Sequence, residues 1–403
     1  MKAHPLSSDI SSRVSSIDIF RGLTILVMIF VNDLASVKGM PWWLGHMPEG
    51  VNGMTFVDVV FPAFLFIVGM AVPFAVNKRL KEGDNTFTIW KHILIRTIGL
   101  LLLGVLMVNI SDLNSQASGI DRHLWMFLIF VAAILTWNIY PKAVGHKRII
   151  FISLRLLGIA LLIFLMAIYR SGTLDNIGWL HTKWWGILGL IGWAYLFTCL
   201  AYFAIKRNFW AMLASLVFFY FIYVLDSFRI FNFAKPFLLV GEHIGVHTAI
   251  TISGLIISML FFESSPVKSP KGRIIWIFIY SAILFIAGLL LSPVYGISKI
   301  YATPAWGLFS SAYCGWLFCF FYWLVDMKNK IAWAKFLEPA GKNPLLAYIL
   351  PDIYYSLAVF FGFTFIGKFF GSGIIGFLRS IIFALIMVEL TSLFNKLKIR
   401  LHL

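Results

Sequence analysis

Long apolar runs are the feature that most restricts what this chain can fold into. Its 403 residues are 60% hydrophobic and only 12% charged. The apolar residues fall in runs of about twenty, the length that an α-helix needs to cross the hydrocarbon core of a bilayer. A soluble domain is therefore excluded, and the sequence predicts an all-α, polytopic transmembrane helical bundle.

The apolar runs divide into twelve predicted spans, and ten to twelve is the expected range. Their bounds in chain order are 17–35, 54–76, 90–110, 123–140, 150–169, 184–204, 209–226, 246–262, 274–292, 304–325, 344–366 and 373–394. Short connections separate them, and the sequence shows neither a soluble insertion nor an internal repeat. We therefore predict that residues 1–403 form a single membrane-embedded domain.

The basic residues determine the predicted topology. The chain has 33 lysines and arginines against 17 acidic residues, which gives a formal net charge of +16. Most basic residues lie in alternate connections, for example in residues 78–81 and 396–400. Cytoplasmic connections of membrane proteins are enriched in lysine and arginine, so both termini are predicted to be cytoplasmic. Such connections also attract anionic headgroups, and we predict membrane lipid, not nucleic acid, as a partner.

The cysteines indicate neither redox nor zinc chemistry. Cys199, Cys314 and Cys319 all fall inside apolar runs, without metal-type spacing and without a loop partner for a disulfide. The sequence also has no phosphate-cradling glycine loop and no nucleophile-elbow serine. No metal is therefore predicted, and any catalysis has to use His, Asp, Asn and Arg side chains.

The segment from Ser16 to Gly69 is rich in polar side chains for a membrane region. Two predicted spans bracket a short polar loop there, and both spans carry ionisable groups. Charges inside a span are costly, so each needs a partner or a function. The candidate residues of this segment are Asp18, Arg21, Asn32, Asp33, His46 and Asp58.

Four of the candidate positions have a structural interpretation beside the functional one. Asp18 and Arg21 are one helical turn apart, and we favour a structural ion pair over a role in binding. Arg96 lies inside the third span and is expected to snorkel to the cytoplasmic face, although a phosphate contact stays open. Asn343 stands at the inner mouth of the eleventh span, where lining, pairing and gating are all open roles.

His46 lies in the loop that follows the first span, close to Trp42 and Trp43, whose indoles are expected to wall it off. An imidazole titrates near neutral pH, which suits it to act as a base or an acyl acceptor. Its position alone gives it no advantage over other histidines predicted on the same side. These are His123, His181, His243 and His247.

The residues predicted around His46 favour it over the other histidines as the functional one. Asn32, Asp33 and Asp58 are all expected at the same membrane face, and an amide or carboxylate beside an imidazole fixes its tautomer. Asp58 also opens the second span, where a carboxylate favours the positive end of the helix dipole. Helix capping and a functional role are equally supported for Asp58 by the sequence.

Several sequence stretches occur in a characteristic order at the two ends of the chain. They are residues 16–24, 30–32, 42–46, 52–55 and 58–69 near the start, and 301–306 and 341–348 near the end. In order and spacing they resemble the heparan-α-glucosaminide N-acetyltransferase family and its bacterial relatives. The resemblance makes residues 1–110 the motif-bearing part, 111–183 inserted spans, and 184–403 the remaining bundle with the closing motifs.

The resemblance implies a membrane acyltransferase that moves an acetyl group from cytoplasmic acetyl-CoA to an amino sugar or other glycan acceptor on the outer side. His46 matches the family's catalytic histidine, and Asn32 matches an asparagine beside it. The other candidates are predicted to support the site or bind substrate, and the protein is expected in a bacterial inner membrane. An acetyl-histidine intermediate and direct transfer both stay open, as do a larger acyl donor and a homodimer.

Two other classes of function compete with the acyltransferase. A transporter or exporter is suggested by the twelve spans and the intramembrane charges, although the missing internal repeat argues against it. A non-catalytic membrane assembly partner is suggested by Pro351 and Asp352, which stand where the family has a His-Glu pair. Uptake without an acyl donor, or failure to bind acetyl-CoA, would distinguish these alternatives.

Overall fold

The computed structural model describes residues 14–206, 208–262 and 265–401, and α-helices dominate it. The helices are α1 (Ser15–Leu34), α2 (Val57–Lys81), α3 (Thr86–Asn109), α4 (Ser115–Ser118), α5 (Arg122–Trp137), α6 (His146–Ile168), α7 (Ile187–Ile205), α8 (Phe209–Ser227), α9 (His247–Ser258), α10 (Pro270–Tyr295), α11 (Pro304–Phe321), α12 (Glu338–Lys342), α13 (Pro344–Phe360), α14 (Phe365–Phe369) and α15 (Gly373–Lys396). The predicted helical class is confirmed.

Short segments of other geometry flank these helices. Tighter 3₁₀ turns occupy Trp42–Leu44, Ile110–Asp112, Met259–Phe261 and Ala332–Leu337, and π-helical turns occupy Val240–Val246 and Tyr322–Met327. Strands β1 (Ser171–Thr173) and β2 (Asn176–Gly178) form one antiparallel hairpin, in which Ser171 pairs with Gly178.

Nine helical stretches in the described ranges are long and apolar enough to cross a membrane. They contain α2, α3, α6, α7, α8, α9, α10, α11 and α15, and the apolar helices α5 and α13 are shorter. Every predicted span overlaps one of these helices or α1. Such a set identifies an integral membrane protein. The exact number of crossings and the side of each terminus stay predictions, and residues 1–13 and 402–403 lie outside the described ranges.

The first of two compact units comprises Met1–Thr24, Pro41–Leu101 and Ile187–Lys335. Its central element is α9, in which every residue is buried. α2 crosses α9 at two glycines, since a Cβ on Gly69 would lie 1.7 Å from the Thr251 carbonyl oxygen and one on Gly254 would lie 1.9 Å from that of Phe66. Glycine lets the two backbones approach as in other membrane helix pairs.

The second unit comprises Ile25–Met40, Leu102–Gly186 and Phe336–Leu403. Within it α5 packs against α6 and α13, and α15 packs against α12 and α13. The buried Trp125 of α5 donates its indole N–H to the Leu165 carbonyl at 3.0 Å. The predicted insertion, residues 111–183, therefore packs against the closing part of the chain through α13.

Candidate functional site

The loop before α2 places His46 beside the first turn of that helix. The Thr55 hydroxyl donates to the Gly45 carbonyl at 2.7 Å, and the Met47 backbone N–H donates to Asp58 Oδ2 at 3.2 Å. These two bonds flank His46 on both sides in sequence. The imidazole is therefore fixed against the start of α2, with 46% of its side chain exposed.

Asp58 is the buried acceptor that orients the imidazole. Its side chain is 1% exposed, and its Oδ1 lies 2.8 Å from His46 Nδ1. Backbone N–H groups of Met47 and Thr55 donate to its other oxygen, the latter at 3.0 Å. A carboxylate only accepts, so Nδ1 carries the proton and the lone pair of Nε2 is left for chemistry.

The helix geometry around Asp58 depends on a proline one turn later. Pro62 lies inside α2 and has no N–H, so the Asp58 carbonyl lacks its usual partner four residues along the helix. The fully buried Trp306, in the first turn of α11, donates its indole N–H to that carbonyl at 3.1 Å. The stretch 301–306 near the end of the chain thereby supplies the donor that the stretch 58–69 near the start lacks.

Lys299 is the cationic member of this group. Its Nζ lies 3.2 Å from both ring nitrogens of His46. A donor in the ring plane cannot reach both nitrogens, because Cε1 stands between them, so the ammonium lies over the ring face. Burial lowers the pKa of Lys299, and the charge of Asp58 opposes that shift. We define His46, Asp58 and Lys299 as the imidazole cluster.

The connection from α10 to α11 holds Lys299 in place. The Ile297 N–H donates to the Asn52 side-chain oxygen at 2.7 Å, and its carbonyl accepts from the Gly53 N–H at 3.0 Å. The Ser298 N–H donates to the Thr303 hydroxyl at 3.0 Å. The connection is therefore tied to the loop that precedes α2.

Aromatic and acidic side chains lie on the loop that carries His46. Trp42 is 73% exposed and Trp43 is 51% exposed, and the Trp43 ring packs at 6.5 Å from that of Phe56. Both side chains are thus at least half exposed, and the expectation that they wall off the site stays a prediction. The Tyr301 hydroxyl donates to Glu49 at 2.8 Å.

Two competing histidines of the first unit are buried. The His247 ring packs edge-on against Phe61 and Trp306, which places it in the interior beside α2 and α11. His243 Nδ1 accepts from the Leu239 N–H at 3.3 Å. His46 combines a hydrogen-bonded carboxylate with an exposed ring, a combination suited to a base that meets substrate.

Asp33 is the centre of a separate polar network in the second unit. Its side chain is 6% exposed and accepts from the hydroxyls of Tyr355 and Ser380, each at 2.5 Å, and from Arg379 at 2.9 Å. The neighbouring Asn32 is exposed. Because Asn32 belongs to the second unit, its placement beside His46 stays a prediction.

Asp18 and Arg21 make the contact that their spacing predicts, whereas the snorkelling expected of Arg96 stays a prediction. Arg21 lies 3.5 Å from Asp18 in an i,i+3 pair. The guanidinium of Arg96 lies over the Tyr195 ring, 4.7 Å from its centroid, and its buried Nε has no partner in the described part of the chain. Arg21 and Arg96 are close enough to interact electrostatically.

Asn343 is occupied by the chain's own C-terminal segment. Its amide donates to Asn395 at 2.9 Å and to the Ile399 carbonyl at 3.0 Å, and its oxygen accepts from the Leu401 N–H at 3.1 Å. Of lining, pairing and gating, the structure therefore shows pairing for Asn343. Contact with substrate stays a prediction.

Sequence reasoning missed Lys299, Thr55 and Trp306 as parts of one site. Trp306 is recognised in the sequence only as part of the stretch 301–306, and Lys299 falls in none of the characteristic stretches. One available signal was the position of Lys299 between two apolar spans on the predicted outer side, where lysine is uncommon.

Sequence comparisons connect the chain to known proteins at two levels. Residues 13–230 match the family described as "Domain of unknown function (DUF5009)". The chain is 33% identical to heparan-alpha-glucosaminide N-acetyltransferase of Mus musculus over 116 residues, which are 27% of the chain and 17% of that protein. With the Homo sapiens protein of that name the identity is 33% over 102 residues, which are 25% and 15% of the two chains.

The matches to curated proteins are partial. The aligned segments span less than a fifth of the length of either acetyltransferase. They support the resemblance read from the motifs, and they leave the activity of the whole protein to a proposal. The family match, by contrast, runs over more than half of the chain and includes His46 and Asp58. The protein therefore belongs to the DUF5009 family.

Proposed function

We propose that the protein is a membrane acyltransferase that moves an acetyl group from cytoplasmic acetyl-CoA to an amino sugar or other glycan acceptor on the outer side of a bacterial inner membrane. The observation that carries this proposal is the 2.8 Å contact between His46 Nδ1 and the buried Asp58. The partial similarity to an N-acetyltransferase supports the reaction class.

The imidazole has what either acyl-transfer route requires. With Nδ1–H bonded to Asp58, the Nε2 lone pair is free to take a proton from the acceptor or to attack the thioester itself. A carboxylate that holds the ring also stabilises the imidazolium formed by proton uptake. Direct transfer and an acetyl-histidine intermediate both remain consistent with the proposal.

A cytoplasmic donor explains why the site belongs to a membrane protein. Acetyl-CoA carries several phosphate charges and does not cross hydrocarbon, whereas an acetyl group passed through a bundle does not face that barrier. The Nε of Arg96, which has no hydrogen-bond partner among the described residues, lies close to the charge of Arg21 and is a donor that a phosphate would satisfy. We therefore propose that Arg96 contacts the donor.

Substitution of the histidine tests the proposal directly. We expect His46→Ala to lower acetyl transfer from labelled acetyl-CoA to glucosamine by about 10²- to 10⁴-fold, the usual contribution of a general base. His146→Ala changes an exposed histidine at the start of α6 and is the matched control. Thermal unfolding and size-exclusion profiles in detergent establish that both variants are folded.

The outcomes separate the proposed class from its rivals. Full transfer by a folded His46→Ala variant would remove His46 from the reaction. Substrate movement across sealed vesicles without any acyl donor would favour a transporter. Failure of the wild-type protein to bind acetyl-CoA would favour a non-catalytic partner and overturn the proposal.

A further inference from the structure

We propose that the Lys299 ammonium stabilises the negative charge that develops on the thioester carbonyl oxygen during acyl transfer. This inference rests on the proposed function and adds a catalytic residue to it. It is carried by the position of Nζ, which lies 3.2 Å from His46 Nε2, the atom at which the reaction takes place in either route.

The geometry leaves room for the ammonium to act beside the imidazole without consuming its lone pair. Nζ lies over the ring face, whereas the Nε2 lone pair lies in the ring plane. A carbonyl carbon that approaches Nε2, or an acceptor atom bonded to it, therefore lies within reach of both groups. A site close to both a base and an oxyanion donor is the arrangement that acyl transfer needs.

The surroundings of Lys299 are suited to an electrostatic role. The side chain is half-buried, and a charge in a partly dehydrated site acts more strongly than one in water. The groups that face it are His46 and Asp58, and the Tyr301–Glu49 pair lies on the same loops, with Glu242 in electrostatic range of Tyr301. The nearby carboxylate of Asp58 favours the ammonium form.

The proposed step balances as follows for direct transfer. The acceptor's lone pair forms a bond to the carbonyl carbon, the π electrons move to oxygen beside Lys299, and the acceptor's proton passes to His46 Nε2. The oxyanion then re-forms the carbonyl, the carbon–sulfur bond breaks, and the leaving sulfur takes the proton back. If Nε2 attacks first, the same carbonyl oxygen becomes negative beside the same ammonium.

Two other roles are open to a lysine at this position. It can pack over the imidazole as a structural cover, or, in its neutral form, it can act as the base. These roles predict different responses to a residue that keeps the charge but cannot lose its proton, because arginine stays protonated throughout the accessible pH range.

The experiment compares Lys299→Met, Lys299→Arg and the wild-type protein at saturating acetyl-CoA. We expect Lys299→Met to lower kcat by about 10²- to 10³-fold, as loss of one oxyanion donor does, with a much smaller change in KM. Lys299→Arg is expected to retain most of the activity. Lys235→Met replaces an exposed lysine of the same unit outside the imidazole cluster and is expected to match wild type.

The pH profile distinguishes charge from base. The ammonium form is lost as pH rises through the pKa of Lys299, which burial lowers, so wild-type kcat should fall on the alkaline side. Lys299→Arg should stay active there, after uncatalysed thioester hydrolysis is subtracted. Wild-type activity that rises with pH together with an inactive arginine variant would overturn the inference in favour of a base.

Failure of the inference is distinguishable from failure of the proposed function. A folded Lys299→Met variant with wild-type kcat, alongside an inactive His46→Ala variant, would remove only the role of Lys299. Equal thermal stability of the methionine variant and wild type, combined with the expected fall in kcat, would exclude a merely structural cover. Absence of acetyl transfer by the wild-type protein would remove both proposals together.

Discussion

Asp58 and Asp33 are buried carboxylates with similar numbers of donors and different consequences. Asp58 is held by two backbone N–H groups and one imidazole, whereas Asp33 is held by Tyr355, Ser380 and Arg379. Arg379 neutralises Asp33 directly. At Asp58 the cation Lys299 instead lies over the face of the His46 imidazole.

The difference lies in what each carboxylate leaves available. The donors to Asp33 form an ion pair and two hydroxyl bonds, an arrangement typical of a structural network. The imidazole bonded to Asp58 is nearly half exposed and retains a free nitrogen. Under the proposed function, Asp58 contributes to the chemistry because its donor His46 has a second ring nitrogen that is left for substrate.

The largest effect expected from this comparison is that of Asp58→Asn on kcat. The new amide N–H faces His46 Nδ1 and favours the tautomer with the proton on Nε2, which removes the free base. We expect kcat to fall by about 10²- to 10⁴-fold. The control is Asp84→Asn, at the turn after α2, where the carboxylate pairs with Arg79. A kcat close to wild type in folded Asp58→Asn would contradict the assigned orientation.

A smaller effect, on stability, is expected from Arg379→Met in the second network. Loss of the cation leaves Asp33 buried with only its two hydroxyl donors, and breaking a buried pair costs about 3 kcal/mol or more. Thermal unfolding in detergent measures the change, with the exposed Lys38→Met variant as the control. An unaltered unfolding temperature would show that the two networks do not differ as proposed.

The smallest effect is expected from Trp306→Phe. Phenylalanine keeps most of the packing but leaves the Asp58 carbonyl without a donor, since Pro62 has no N–H to offer. We expect about 1 kcal/mol of lost stability and a modest decrease in kcat. Combining Trp306→Phe with Pro62→Ala, which restores a helix N–H, should recover part of the stability. No recovery would mean that the indole acts only by packing.

The helical class was predictable because span length is set by the bilayer. Each predicted apolar run overlaps a helix in the structure, with ends that differ by a few residues. At the eighth span, predicted from residue 246, a π-helical turn at Val240–Val246 extends the buried segment backward. Local hydropathy does not encode such a turn, because the glycines and Glu242 there read as loop.

Only part of the candidate site was predictable. The pairing of His46 with Asp58 was predictable because the two residues are near each other in sequence and because an imidazole N–H readily donates to a carboxylate. Trp306 lies 248 residues after Asp58 in the sequence, and Lys299 is similarly distant. Contacts at such range depend on how helices pack, which no local pattern of one sequence specifies.

The complete burial of α9 has a consequence for how the protein is assembled. Thr248, Thr251, Ser253 and Ser258 all lie on this helix and are all buried, and its glycine contacts require α2 to be present. Thr251, Ser253 and Ser258 donate to carbonyls of α9 itself, whereas the Thr248 hydroxyl has no partner among the described residues and would face hydrocarbon if the helix were alone in lipid. We expect α9 to insert against α2, which is synthesised before it, so that insertion and folding of this unit are coupled during synthesis.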